Sequence, residues 1–130
     1  MPVISEVMLI DVSKIMPERA KKYCVCISSD NNKYFVINSN HREMYDDFEI
    51  EASNYSFLSH DSYVCCHKTY ILSEEFIVSK LGNINHGDMM KILDKIQNSR
   101  RIAEEERDTI ALELKAWLNN YQDNKETHRA

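Results

Sequence analysis

The sequence predicts a single α+β domain, a small antiparallel β-barrel closed by C-terminal helices. Three observations lead to this class. Before Gly82, apolar, β-branched and aromatic residues come in short runs separated by polar breaks, which is typical of strands. After Gly82 the apolar spacing becomes that of amphipathic helices. The chain has 130 residues, 43% of them hydrophobic, which is enough for one core and too few for two ordinary domains.

Short segments with the composition of strands follow one another through the first part of the chain. They are Glu6–Val12, Tyr23–Ser29, Lys33–Asn38, Asp47–Ala52, Ser62–Cys66, Thr69–Leu72 and Phe76–Lys80. The second and third are joined by Ser29-Asp30-Asn31-Asn32, whose side chains hydrogen-bond local backbone and tolerate left-handed conformations. We therefore expect a hairpin turn at this position.

A first helix is predicted after Gly82, and it completes a barrel unit of residues 1–98. Asn85 is a suitable N-cap, and Asp88 places negative charge in the first turn, where it complements the helix dipole. The apolar residues at i, i+3, i+4 and i+7 of one face are Met89, Ile92, Leu93 and Ile96.

A second helix is predicted within residues 99–122, followed by a polar tail, 123–130. Its apolar face comprises Ile110, Leu114, Trp117 and Tyr121, and acidic residues 104–106 lie near its start. Residues 100–103 are compatible with a turn or with continuous helix. Two roles are open for Trp117, which can cover the barrel or anchor a dimer or another partner.

Composition excludes several classes of protein. Two Gly, two Pro and no glycine-rich phosphate loop exclude Rossmann and P-loop folds. The longest apolar run, 23–27, is far shorter than the roughly 20 residues that cross a bilayer, so we expect no membrane span. The N-terminus lacks the features of a secretory signal, so we expect a cytoplasmic location. The net charge of −5 disfavours nonspecific binding to nucleic acid but is compatible with a local basic groove.

The four cysteines predict buried thiols rather than a metal site. Cys24 and Cys26 are two positions apart and lie on the same face of a predicted strand, and Cys65 and Cys66 are adjacent. Neither pair has the C-x-x-C spacing of common zinc sites. In a reducing compartment such residues behave as small hydrophobes. We therefore expect reduced core thiols and no metal or other cofactor, with metal binding or a disulfide as the alternative.

The second half of the chain contains a recognisable series of motifs. A His60-Asp61-Ser62 turn leads a buried strand, a later strand leads into Lys80-Leu81-Gly82, and a helix follows that contains Asp88-Met89-Met90. Their order and spacing resemble those of MazF/PemK-like proteins, the RNA-cleaving toxins of toxin–antitoxin pairs. In the first half, Lys21–Ile27 and Tyr34–Ser39 resemble the family's basic residue with its strand and the strand that follows. The likeness covers roughly residues 5 to 98.

This resemblance implies an SH3-like barrel and the function of a type II toxin, a metal-independent endoribonuclease acting on single-stranded RNA. It also implies a cognate antitoxin and a homodimer. In active members an arginine stabilises the phosphate; Lys22 stands at that position here, and Ser39 or Asn38 near that of an assisting hydroxyl. Lysine keeps the positive charge but lacks the planar fork that grips a phosphate with two hydrogen bonds.

Candidate catalytic residues follow from what the reaction requires. RNA cleavage without a metal needs a base, an acid and a cation or donors for the phosphate. Histidine changes charge near neutrality, so His41 and His60 are the candidates for proton transfer beside Lys22 and Ser39. Structural alternatives remain open: His60 forms a turn with the residues after it, and His41 belongs to a polar strand exit.

Basic residues near the start of the chain suggest an RNA-binding groove. The predicted RNA-binding residues are Lys14, Arg19, Lys21, Asn38 and Arg42. A solvated basic loop explains the same residues. Two hypotheses therefore stand, an active ribonuclease and a catalytically degenerate barrel that serves as a protein-binding module. A contiguous positive groove favours the first.

Overall fold

The computed structural model describes residues 2–18 and 20–129, with side chains through residue 120. These residues form seven strands and two α-helices, which confirms the predicted α+β class. The elements are β1 (Glu6–Asp11), β2 (Lys21–Ser28), β3 (Lys33–Asn38), β4 (Phe48–Ile50), β5 (Ser62–Val64), β6 (Tyr70–Ile71), β7 (Ile77–Asn83), α1 (His86–Gln97) and α2 (Glu104–Arg129). Each predicted strand overlaps an observed one, and β7 continues to Asn83, three residues past the predicted end at Lys80.

One antiparallel sheet contains all seven strands, in the order β4-β5-β3-β2-β1-β7, with β6 also paired to β3. At its centre Val25 of β2 pairs with Val7 of β1 and with Phe35 of β3. The predicted hairpin is present between β2 and β3, and Asn32 in its turn has a φ of 51°, the left-handed conformation that Asn tolerates. The register of this hairpin sets the positions of the residues at its open end.

The sheet separates two hydrophobic clusters because successive side chains point to opposite faces. Val25 and Ile27 belong to the larger cluster, which also includes residues of α1 and α2, whereas Cys24 and Cys26 belong to the smaller one. All four cysteines are free and buried, as expected for core thiols. Burial raises the pKa of the Cys24 and Cys26 thiols to about 12, so both remain neutral at physiological pH.

Helix α1 begins as predicted. The Oδ1 atom of Asn85 accepts a hydrogen bond from the Asp88 backbone N–H at 2.8 Å, and the buried face contains Met89, Ile92 and Ile96. The hydroxyl of Tyr55 accepts from the Asn85 N–H at 3.1 Å and donates to Asp88. The segment before β5 is thereby fixed to the start of α1.

Helix α2 packs on its own barrel. Ile110, Leu114 and Leu118 are buried in the larger cluster, and Trp117 is half-buried against it, so this helix covers the sheet. Residues 100–103 form a bend, which separates the two helices. Tyr121 was predicted on the same face, but its side chain lies outside the described residues.

The backbone of α2 continues to Arg129, past the predicted helix end at residue 122. Residues 123–129 contain no Gly or Pro that would end a helix, which accounts for the difference. Along residues 2–18 and 20–129, no helix combines the length and apolarity needed to cross a membrane.

Candidate functional site

A cleft lies where the start of β2, the end of β3 and the loop before β5 meet. Its volume is about 280 Å³, and its lining includes Tyr23, Ile37 and Leu58. Predicted site residues also line it: Lys21, Lys22, Asn38, Ser39 and His60. The cleft is therefore the part of the surface where most of the predicted chemistry comes together.

Pairing of the β2–β3 hairpin brings Lys22 and Asn38 together. Tyr23 pairs with Ile37, so the two polar residues next to this pair face each other at the open end of the hairpin. The Lys22 ammonium donates a hydrogen bond to Asn38 Oδ1. The Asn38 Nδ2 group donates to Cys65 Sγ at 3.2 Å, and burial raises the pKa of that thiol to about 11. Asn38 thus connects a neutral buried thiol to a half-buried ammonium and orients both.

His60 is exposed at the edge of the cleft and its ring is oriented by local contacts. Its Nδ1 atom lies 3.0 Å from the carbonyl oxygen of Asp61. A carbonyl only accepts, so Nδ1 carries the proton in this contact, and a neutral ring has its lone pair on Nε2. Ser62 Oγ donates to the His60 carbonyl at 3.1 Å, and Asp61 Oδ1 accepts from the Ala52 N–H at 2.8 Å. The predicted turn is present, and it leaves one imidazole nitrogen available.

His41 and Arg42 lie on a neighbouring surface, outside the lining of the cleft. His41 Nδ1 is 2.6 Å from Asp47 Oδ1, and Asp47 Oδ2 accepts from the Arg42 backbone N–H at 2.8 Å. The Asp47 side chain is almost fully buried, so the imidazole has a fixed carboxylate partner. With Arg101, these residues border a separate shallow depression.

The remaining predicted RNA-binding residues are not part of the cleft. Lys14 lies over the ring of Phe76, with its ammonium 4.8 Å from the ring centroid. Arg19 falls outside the described residues. Among the described residues, the cations that line the cleft are Lys21 and Lys22, so a groove that also includes Lys14 and Arg42 is not assembled here. Nor does any group of three His, Cys, Asp or Glu side chains within that described part have the placement of metal ligands.

A second depression, of about 130 Å³, lies on the other side of the Lys22–Asn38 pair. We call it the aromatic pocket; it is lined by Met16, Lys22, Val36, Asn38, Tyr45, Cys65, His67 and Tyr70. No motif in the sequence indicates that Tyr45, His67 and Tyr70 lie together. Tyr70 reaches this position through the pairing of β6 with β3, a contact between distant segments that no local pattern reports.

Comparison with known proteins identifies the fold. No family model and no curated protein matches this chain. Among solved structures it is similar to the Mycobacterium tuberculosis toxin MazF-mt6, with a TM-score of 0.56 and 13% identity over 72% of this chain and 93% of that one. It is also similar to an endoribonuclease in complex with its cognate antitoxin from Mycobacterial species, with a TM-score of 0.56 and 16% identity over 73% and 90% of the two chains. The chain has the small α+β barrel fold of MazF toxins, which confirms the resemblance at the level of fold.

Proposed function

We propose that this chain is the toxin of a type II toxin–antitoxin pair and cleaves single-stranded RNA without a metal ion. The observation that carries the proposal is the cleft, which has a cation, Lys22, hydrogen-bonding groups on Asn38 and Ser39, and the imidazole of His60 along one surface. They supply the base and the cation with hydrogen-bond donors that such a reaction requires, while solvent can supply the acid. The likeness to MazF-mt6 supports the same function independently.

Each group has a role in the proposed mechanism. Lys22, held by Asn38, stabilises the charge that develops on the phosphate, and the Ser39 hydroxyl donates to one of its oxygens. His60 Nε2 takes the proton of the 2′-hydroxyl, because Nδ1 is bonded to a carbonyl. The 2′-oxygen attacks phosphorus, the bond to the 5′-oxygen breaks, and that oxygen takes a proton from solvent, to which His60 later releases its own.

Lys22 should be required for cleavage. End-labelled single-stranded RNA is incubated with the purified chain in excess chelator and resolved on a sequencing gel. We expect discrete cuts, and a loss of roughly 100-fold or more in Lys22→Ala, the scale on which removal of one charge-stabilising group acts. Lys115→Ala, which removes an exposed cation from α2, is the matched control and should cut like the wild type. Intact RNA at high protein excess would overturn the proposal.

The two histidines are compared in the same assay. We assign proton transfer to His60, because it lines the cleft with Lys22 whereas His41 is bonded to Asp47. His60→Ala should lower the cleavage rate by about 100-fold or more. A larger loss in His41→Ala than in His60→Ala would reassign this role to His41.

We also propose a protein partner and an assembly for this toxin. The endoribonuclease to which this chain is similar is in complex with its cognate antitoxin, and we infer that an antitoxin controls this chain as a cytoplasmic homodimer. Light scattering on the purified chain tests the homodimer directly, and a monomeric mass would contradict it.

A degenerate barrel is the second candidate function. The observation that favours it is the lysine at position 22, which lacks the bidentate grip of arginine. If Lys22→Arg creates cleavage where the wild type has none, the natural chain has an inactivated site, which supports the second candidate.

A further inference from the structure

The Lys22–Asn38 pair forms the border between the cleft and the aromatic pocket. Both residues line both depressions. They share the strand face of Cys24 and Val36, which belong to the smaller cluster, but they lie at the open end of the hairpin, where the cleft begins. A single RNA strand whose phosphate contacts Lys22 therefore has the aromatic pocket directly beside that phosphate.

We propose that the aromatic pocket binds one nucleobase of the RNA, a pyrimidine, next to the phosphate held at Lys22. The inference rests on the proposed function and adds to it a recognition element, with Tyr45, His67 and Tyr70 as the residues that contact the base.

Stacked rings give the pocket a flat, prearranged surface. The Tyr45 and His67 rings lie 4.4 Å apart between centroids at an angle of 11°. Aromatic side chains on which bases stack are the usual means of binding unpaired nucleotides. The pair brings together a 3₁₀ turn, Glu43–Tyr45, and the segment that follows β5, so it does not depend on one mobile loop.

Polar atoms in the pocket suit the edge of a neutral base. The Nδ1 atom of His67 is buried and has no hydrogen-bond partner among the described residues, so its hydrogen-bonding capacity is not met within the fold. Burial, the largest influence, lowers the pKa of His67, so the ring is neutral near pH 7; a hydrogen bond with the Tyr45 backbone engages one ring nitrogen and leaves the other for a ligand. Bases present neighbouring donors and acceptors, whereas a phosphate would favour the charged imidazolium.

Charge around the pocket matches a nucleotide rather than a neutral peptide. Lys22 borders it on one side, and the ammonium of Lys68 lies over the ring of Tyr70, 5.0 Å from its centroid. Cations flanking an aromatic surface match the backbone phosphates on either side of a stacked base.

The size of the pocket favours a single ring. The pocket is an open depression, and its volume of about 130 Å³ is near the roughly 150 Å³ of an engineered cavity that accepts benzene, so it has room for about one six-membered ring. A six-membered pyrimidine ring is comparable to benzene, whereas a bicyclic purine is larger.

Cleavage of an RNA pool with randomised sequence tests the assignment. We expect the wild type to prefer a pyrimidine at one position beside the cut. Tyr45→Leu, which removes the flat ring, should relax this preference at least tenfold while leaving other positions unchanged, and Tyr45→Phe, which keeps the ring, should retain it. A purine preference at that position, or an unchanged preference in Tyr45→Leu, would overturn the inference.

A binding measurement separates this inference from the cleavage reaction. The imidazole resonances of His67 are followed by NMR in the His60→Ala variant, which lacks the proposed base but keeps every residue of the aromatic pocket, while a uridine dinucleotide or an adenosine dinucleotide is added. Shifts with uridine alone support the pocket even if the wild type cuts no RNA. Cleavage by the wild type without any shift of His67 supports the ribonuclease and overturns the pocket. If only a protein partner shifts His67, the pocket is a protein contact and the inference fails.

Discussion

Among the described residues, no hydrogen bond offsets the desolvation of the Tyr34 hydroxyl in the smaller cluster. Tyr34 is fully buried, and its oxygen has no hydrogen-bond partner among the described residues. Burial raises the pKa of this hydroxyl far above its usual value, so it stays protonated. Replacing a buried unpaired hydroxyl by hydrogen removes a desolvation cost without changing the shape of the ring.

Tyr34→Phe should therefore raise the free energy of unfolding by about 1 kcal/mol. Urea denaturation followed by circular dichroism measures the change. Tyr63→Phe is the matched control, because the Tyr63 hydroxyl donates to Glu49 at 3.0 Å in an exposed position, and its loss should alter stability by less than about 0.5 kcal/mol. A less stable Tyr34→Phe would mean that the hydroxyl has a partner in solution.

Glu6 makes stability depend on acid pH. Its side chain is nearly buried, with Oε2 2.6 Å from the Lys80 ammonium and Oε1 accepting from the Val3 N–H at 2.7 Å. Burial alone raises the pKa of this carboxyl, but the contacts with Lys80 and Val3 outweigh it, so the pKa lies below its usual value. A lowered pKa in the fold stabilises the protein above the unfolded value, and this contribution is lost as pH falls through the folded one.

Glu6→Gln removes this charge and should cost about 1 kcal/mol at pH 7, a figure kept small because Lys80 is half exposed. The difference from the wild type should shrink as pH falls below about 4.5, the value from which the pKa of Glu6 is lowered. Urea titrations at pH 7, 5 and 3 measure it. A difference that stays constant over this range would show that the lost hydrogen-bond geometry, not the charge, is responsible.

At the level of elements, Glu113 connects α2 to the β2–β3 hairpin. Its Oε1 accepts from Ser28 Oγ at 2.9 Å and its Oε2 from the Ser29 N–H at 2.8 Å. Charge-assisted bonds of this kind are among the stronger ones. Because the open end of the same hairpin contains Lys22 and Asn38, this contact stabilises the element that builds the cleft.

Glu113→Gln should lower the free energy of unfolding by about 1–2 kcal/mol, since an amide cannot accept both bonds with the same strength. Asp108→Asn is the control, because Asp108 is largely exposed and its ion pair with Arg107 spans 3.8 Å, a contact worth little. Chemical denaturation of both variants gives the comparison. Equal stabilities would show that apolar packing alone holds α2 to the hairpin.

Elements built from local patterns were predictable from the sequence. The Asn85 cap, the apolar face of α1 and the turn at Asn32 depend on residues within about seven positions of each other, and each is confirmed. The end of α2 was not predictable, because polar residues alone do not stop a helix. The contact between Glu113 and Ser28 joins residues 85 positions apart and leaves no periodic signal.

At the scale of the whole molecule, part of the candidate site was predictable from local sequence patterns and part was not. Lys22 and Asn38 meet because a short hairpin pairs their strands, so strand prediction was sufficient to bring them together. The His60 turn was found as one of the motifs that resemble MazF/PemK-like proteins. The partner of His41, the stacking of His67 and the position of Tyr70 depend on tertiary contacts, for which no motif in the sequence provides evidence.

Helix α2 and the barrel share one core, so they should unfold together. Leu114 is fully buried in the cluster that includes β2, β3 and α1, whereas Leu112, two residues earlier, is 72% exposed. Leu114→Ala should lower the free energy of unfolding by about 2–5 kcal/mol, and Leu112→Ala should leave it nearly unchanged.

Trp117 makes this cooperativity measurable. It is the single tryptophan of the chain and packs against the larger cluster, so its fluorescence reports the contact between helix and barrel, while circular dichroism reports all elements. Shared burial predicts that the two signals change at the same urea concentration in the wild type. In Leu114→Ala they should again change together, at a lower urea concentration. If the fluorescence changed first, α2 would detach from a barrel that folds without it, and Leu114→Ala would then leave the main transition by circular dichroism where it is in the wild type.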